Sequence, residues 1–269
     1  MRVITLTQPD ATARQLLAYR AQAKPVPNAE WQASGLVPAD QNAAYAAQDA
    51  MTAILTQQGQ IPIGYKIGAT NQAARGLLGV EHPFYGRLYD ATSSEGPGRL
   101  DMIAGLHEVA EPEIAIRMGR DLDPSDAPFD AAAIEAAADA LLPAIEVIIS
   151  PFEPWMEAGA PTLVADNGVH GSWIMGAPVT DWSGFDPLEG PIRVAVTGTD
   201  PTTGKGGAVD GGPFGAAAWL ANKLASQGRG LKAGDYISTG TVTPPIKLRP
   251  GQRIDADYGA LGQISLTVA

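Results

Sequence analysis

The sequence contains no cysteine and only three histidines, His82, His107 and His170. Without thiols there can be no disulfide, no thiolate nucleophile and no zinc–thiolate site. The histidines are too scattered for a ligand motif, and His82 and His170 read as surface positions more readily than as pocket residues. Basic residues are also scarce: 18 Lys and Arg stand against 29 Asp and Glu, a formal charge of −11. Nucleic acids and anionic membranes are bound by clustered cations, so neither is an expected partner and small molecules remain as the ligand class. No apolar run approaches the ~20 residues that span a bilayer, and residues 1–9 lack the apolar core and small-residue cleavage site of a secretory leader. A soluble, cytoplasmic protein is expected.

What is present is enough apolar content, 45% of 269 residues, for one large domain or two closely joined ones. Within it, the stretch Val109 to Arg117 reads as a strand, Val-Ala-Glu-Pro-Glu-Ile-Ala-Ile-Arg. Strand side chains alternate with period two, so Glu111 and Glu113 leave the same face. Like charges on one partly buried face repel and lose hydration, so protons, cationic side chains or a metal must compensate. Taken alone, Glu-x-Glu is ordinary on an exposed edge strand. Glu146 changes the reading, because Leu141 to Ile149 is apolar on both sides of it and suggests a strand buried on both faces. A structural ion pair is one explanation of such an acid. The other is a divalent-cation site formed by Glu111, Glu113 and Glu146, for which oxygen-only ligands favour Mg²⁺ or Mn²⁺.

Along the chain, Asp10 is placed to cap a first helix carrying Leu16, Leu17 and Tyr19, and Asp40 a second that closes at Gly59. Residues 61–68 read as a strand in which Lys66 sits unexpectedly among apolar residues and glycines. Asn71 to Gly79 reads as a short helix, His82 to Asp90 as a turn and brief strand, and Thr92 to Gly105 as a loop. The alanine-rich Phe129 to Leu142 reads as a helix feeding the Glu146 strand. Pro151 to Gly171 has no clear period but includes Asp166, Asn167 and His170. The remainder is mostly β, interrupted by a helix over Phe214 to Gln227. Gly204, Gly206, Gly207, Gly211 and Gly212 lack the Walker spacing and read as a tight turn. The expected organisation is a helical N-terminal region, 1–60, followed by a β-rich catalytic domain, 61–269.

Several blocks then match a known family in order: Gly64-Tyr65-Lys66-Ile67-Gly68, Tyr85-Gly86-Arg87-Leu88, Glu111-Pro112-Glu113-Ile114-Ala115, Pro143-Ala144-Ile145-Glu146, Ala165-Asp166-Asn167, Trp219-Leu220-Ala221-Asn222 and the ending Leu231 to Gly262. Over nearly its whole length the chain resembles the 2-keto-4-pentenoate and 2-oxohept-4-ene-dioate hydratases of the fumarylacetoacetate hydrolase superfamily, with 4-oxalocrotonate decarboxylases as siblings. The resemblance implies an α/β fold, a mixed β-roll preceded by helices, and a homo-oligomer, in some cases complexed with a paralogous decarboxylase or hydratase. It implies Mg²⁺ or Mn²⁺ on Glu111, Glu113 and Glu146, and a 2-oxo or 2-hydroxy acid as substrate. It also implies that Lys66 lies beside that substrate, for proton transfer or to pair its carboxylate. An ammonium among apolar neighbours can have its pKa lowered toward neutrality, which would suit the first role. Asp166 and Asn167 are expected either to orient water or to anchor a loop. The implied reaction is hydration of a 2-hydroxy-2,4-dienoate to a 4-hydroxy-2-oxo acid in aromatic meta-cleavage catabolism. Decarboxylation and a catalytically silent subunit are the alternatives. The chain departs from many hydratases in having Phe84 where they have an acid, and Ile149-Ser150 where they have Asp-Ser.

Overall fold

A computed structural model describes residues 7–103 and 106–269. The expectation for the leader segment therefore falls largely on residues outside those described, as do positions 104 and 105 of the loop before Val109. The chain opens with helix α1 (Gln8–Gln22), strand β1 (Val26–Pro27) and helices α2 (Asn28–Ala33) and α3 (Gln41–Gln57). It continues through β2 (Pro62–Gly68), α4 (Gln72–Leu78), β3 (Phe84–Tyr89), β4 (Ser93–Glu95) and β5 (Gly98–Leu100) to β6 (His107–Met118). Next come α5 (Ala131–Glu135), β7 (Ala138–Ser150), β8 (Phe152–Glu153), α6 (Ala160–Ala165) and β9 (His170–Met175). The last part comprises β10 (Ile192–Val196), β11 (Thr202–Gly204), α7 (Gly212–Ala225), β12 (Tyr236–Thr241), β13 (Ile246–Lys247), β14 (Arg253–Asp257) and β15 (Gln263–Val268).

Local chemistry sets several of these boundaries. Asp40 and Asn71 accept hydrogen bonds from the N3 amides of α3 and α4, as their positions predicted. At α1 the cap is Thr7 instead. Asp10 is its N3 partner in a reciprocal capping box, and the proline at the second helical position has no amide to satisfy. The alanine-rich stretch from Phe129 corrects the sequence reading more strongly. Only Ala131–Glu135 is helical, and the backbone is extended from Ala138 onward. Helix propensity is weak where a neighbouring strand is available, and β7 pairs with β6 continuously from His107↔Ser150 to Arg117↔Ala140. Residues 93–95 and 98–100, expected as loop, instead add β4 beside β9 and β5 beside β15.

The strands form a mixed eight-stranded sheet, with β3-β2-β12-β6-β7-β9-β4 in line and β13 also on β6, and a five-stranded sheet ordered β11-β10-β14-β15-β5. This is a mixed β-roll preceded by helices. The sheets are tied by Tyr258, which is buried and donates its hydroxyl hydrogen to the Ala144 carbonyl at 3.0 Å. The N-terminal helices pack on the larger sheet. Gln48 of α3 donates to the carbonyls of Tyr85 (2.9 Å) and Val164 (2.8 Å). Trp31 of α2 is fully buried with its indole N–H on Thr162 Oγ1, and truncating it to Ala would cost about 3–5 kcal/mol. Among the described residues no helix is long and apolar enough to cross a membrane.

Candidate metal centre

Register brings the three glutamates together. Glu111 of β6 lies directly opposite Glu146 of β7, and Glu113 lies opposite Ala144. Residues paired across strands share a face, so all three carboxylates project from one side of the sheet. A small apolar group, Leu88, Ala115, Leu142, Ala144 and Trp173, occupies that same side, while Ile114, Ile116, Ile145 and Val147 face the main core. One carboxylate oxygen from each glutamate lies within 4.8 Å of the others. Glu113 and Glu146 are fully buried, and Glu111 is partly exposed.

Strand β2 adds a cation. Lys66 is 1% exposed, its Nζ is 3.1 Å from Glu146 Oε2, and it donates to the Gly168 carbonyl at 3.0 Å. The protonation balance follows from this packing. Burial raises the Glu111 carboxyl to about 7, with Lys66 opposing and Glu146 adding to the rise. Burial, Glu146 and Glu111 hold Glu113 well above the usual carboxylate range. Burial also works against charge on Glu146, but Lys66 and His170 outweigh it and keep this carboxyl low. For Lys66 the expectation of a pKa near neutrality is overturned. Burial disfavours its charge, yet Glu146, Glu111 and Glu113 together hold the ammonium above its ordinary range.

The residues fit a divalent cation. With all three acids ionised, one lysine leaves two negative charges in a nearly dry site, which an M²⁺ ion would offset. Each fully buried carboxylate also has one oxygen held by hydrogen bonds from outside the cluster. Glu113 Oε2 accepts from Ser238 Oγ and the Gly240 amide, and Glu146 Oε1 accepts from His170. Glu113 Oε1 is buried without a hydrogen-bond partner among the described residues, and Glu146 Oε2 is met only by the Lys66 ammonium at 3.1 Å. An open cleft of about 560 Å³ lies elsewhere, over β10, β14 and β15, and includes none of these residues. Its exposed Arg193, Arg253 and Asp255 lack the desolvation that marks the glutamate cluster.

A strained loop completes the site. Asn167, Gly168 and Val169 all have left-handed backbone, with φ of 54°, 61° and 58°. For a β-branched residue such as Val169 this conformation costs roughly 1–2 kcal/mol and persists only if its surroundings impose it. They do so through Asn167, whose Oδ1 accepts from the Arg87 amide at 2.7 Å and whose Nδ2 donates to the Arg87 carbonyl at 2.9 Å. Gly86 makes room, since a Cβ there would lie 2.2 Å from the Asn167 carbonyl oxygen. From α1, Arg20 donates to both oxygens of buried Asp166 (2.6 and 3.0 Å) and to the His170 carbonyl (2.7 Å). These contacts favour the loop-anchoring alternative for Asp166. The loop in turn delivers the Gly168 carbonyl to Lys66 and the His170 ring to Glu146.

His170 is the residue that sequence reasoning misplaced, since it is 3% exposed rather than superficial. His82 is exposed, and the side chain of His107 lies outside the described residues. Phe84 is buried on the Lys66 side of the sheet, its ring seated over Gly68, where a Cβ would lie 2.7 Å away.

Residues 95–269 match the fumarylacetoacetate (FAA) hydrolase C-terminal family. The chain belongs to the fumarylacetoacetate hydrolase family. It is 32% identical to 2-keto-4-pentenoate hydratase 2 of Dechloromonas aromatica (strain RCB), over 97% of each chain. It is 30% identical to a 4-oxalocrotonate decarboxylase of a Pseudomonas species, over 78% of this chain and 80% of that one. Among solved structures, 4-oxalocrotonate decarboxylase from Pseudomonas putida G7, complexed with magnesium and adipate, superposes with a TM-score of 0.88 at 27% identity, covering both chains fully. The mixed β-roll is therefore that of the family.

Proposed function

We propose that this family member is a divalent-cation-dependent lyase that hydrates a 2-hydroxy-2,4-dienoate, and that it works as a cytoplasmic homo-oligomer. The observation carrying this reading is the convergence of Glu111, Glu113 and Glu146 with a buried lysine on one face, in a chain whose relatives include 2-keto-4-pentenoate hydratases. Glu111, Glu113 and Glu146 would hold Mg²⁺ or Mn²⁺, which when bound supplies a Lewis acid for the oxygens of a 2-oxo or 2-hydroxy acid.

The chain's own groups account for the rest. Hydration of 2-hydroxypenta-2,4-dienoate places a proton on C5 as the dienol ketonises, then hydroxyl on C4 and a proton on C3, giving 4-hydroxy-2-oxopentanoate. Proton traffic of this kind needs a group held at a fixed point away from bulk water. Lys66 Nζ meets that need, fixed between Glu146 and the Gly168 carbonyl. The surrounding glutamates hold it as an ammonium in the metal-free site, which suits pairing with the substrate carboxylate and works against release of its proton there. The apolar group around Trp173 and Leu142 supports a hydrocarbon portion of the substrate on the same face.

A second reading, a 4-oxalocrotonate-type decarboxylase, is supported by relatives of that name at 30–32% identity and by the full-length likeness to a solved 4-oxalocrotonate decarboxylase. Incubation with Mg²⁺ and each substrate separates the two. The hydratase reading expects 2-hydroxypenta-2,4-dienoate to lose its dienol absorbance with formation of 4-hydroxy-2-oxopentanoate, and 4-oxalocrotonate to release little CO₂. The reverse pattern overturns it.

A further inference from the structure

His170 is held on three sides. Its carbonyl accepts from Arg20 Nη1 at 2.7 Å, its Nδ1 lies 3.0 Å from Glu146 Oε1, and its Nε2 lies 3.1 Å from Thr92 Oγ1. The ring is almost fully buried, and the backbone entering it is the left-handed run that ends at Val169. A nitrogen lone pair cannot face a carboxylate oxygen at this distance without repulsion, so Nδ1 carries the proton and donates it to Oε1. With the proton on Nδ1, Nε2 faces the Thr92 hydroxyl at 3.1 Å as its acceptor. That hydroxyl has one hydrogen, for which the Tyr89 carbonyl at 3.3 Å is the more distant claimant.

The consequence concerns Glu146. With Oε1 tied to His170, rotation of the carboxylate about its last torsion would break a buried charge-assisted hydrogen bond, so Oε2 is the oxygen left facing Lys66. We propose that His170 is a positioning residue for the metal centre: with Thr92 behind it, it holds Glu146 so that a single oxygen, Oε2, is offered to a divalent cation. The inference rests on the metal reading above and deepens it. Partners that orient a ligand through a hydrogen bond are typically worth about 10–100-fold in metal affinity.

The test is Mn²⁺ titration of the full chain, followed by electron paramagnetic resonance of the free ion, for wild type, His170→Leu, His170→Asn and Thr92→Val. His170→Leu should weaken binding by about 10–100-fold. His170→Asn keeps an N–H close to the Nδ1 position and should recover most of that loss, which a purely structural role for the ring would not produce. Thr92→Val should weaken binding less than His170→Leu, because it loosens the ring without removing the Glu146 contact. Wild-type binding with equal affinity in all four proteins overturns the inference but leaves the metal reading intact. Absence of Mn²⁺ binding in wild type overturns the metal reading itself. If His170→Leu does not fold, ¹⁵N spectra of the wild-type imidazole decide: a proton on Nδ1 with and without Mg²⁺ supports the assignment, and a proton on Nε2 overturns it.

Discussion

Lys66→Met removes the only lysine or arginine that pairs directly with the three glutamates among the described residues, and the size of its effect follows from the geometry. Nζ is 3.1 Å from Glu146 Oε2, and both side chains are essentially inaccessible to solvent. Deleting one member of such a pair leaves an uncompensated buried charge and typically costs about 3–5 kcal/mol. For a chain of this size each kcal/mol moves Tm by about 2–4 °C, so the metal-free variant should melt about 6–20 °C below wild type at neutral pH. The sign of the pH dependence is fixed as well. In wild type Lys66 helps hold the Glu146 carboxyl below its ordinary 4.5, and without Lys66 burial and the neighbouring glutamates raise it. A raised folded-state carboxyl loses stability as pH rises, so the deficit should be widest near pH 8 and narrow toward pH 5. Saturating Mg²⁺ should restore most of the lost Tm by supplying the missing charge. Thermal unfolding at these pH values, with EDTA or with Mg²⁺, reads all of this. A deficit independent of both pH and Mg²⁺ would show that Lys66 matters by packing alone and refute the electrostatic reasoning. With folding restored by Mg²⁺, turnover should still fall by about two or more orders of magnitude, the usual range for a general acid or base.

In the metal-free wild type, Glu111 is raised to about 7 and Glu113 well above its ordinary range, so their contribution to stability is complete below the ordinary 4.5 and is lost as pH rises through the raised values. Tm with EDTA should therefore fall between about pH 5 and 8, Mg²⁺ should flatten the profile, and calorimetry in buffers of different ionisation enthalpy should detect proton release on Mg²⁺ binding near pH 6.5. Arg20→Met should destabilise the fold by about 3–5 kcal/mol, because Asp166 has no exposure and is left charged and unpaired. Asp166→Asn should lower Tm while keeping turnover of the folded enzyme within about tenfold of wild type. A loss of more than about 100-fold at unchanged Tm would instead give Asp166 a chemical role.

The parts of the centre that were legible in the sequence are those governed by a strand's period. Glu111 and Glu113 share a face because they are two apart, and Glu146 was conspicuous because its strand is apolar on both sides. Lys66 was visible for the same reason. What the sequence did not disclose is set by register and loop conformation. Nothing local says that Glu111 faces Glu146 rather than Ala144, or that a turn of three left-handed residues carries His170 inward. The available signal was the sequence Asp166-Asn167-Gly168-Val169-His170, in which Asn and Gly tolerate left-handed backbone, although Val169 does not and hid the turn. Ala138 to Leu142 was misread as the end of a helix because alanine favours helix by default, whereas residues from Ala138 onward are claimed by pairing with β6. The Arg20–Asp166 pair joins residues 146 positions apart, which no local pattern encodes.

Anomalous diffraction from crystals of the full chain soaked in Mn²⁺ tests the metal centre most directly. One strong peak is expected, bounded by Glu111, Glu113 and Glu146 at oxygen distances of about 2.0–2.6 Å, and it should disappear in Glu146→Gln. A peak that persists in Glu146→Gln, or Mn²⁺ bound only away from these three carboxylates, would contradict it.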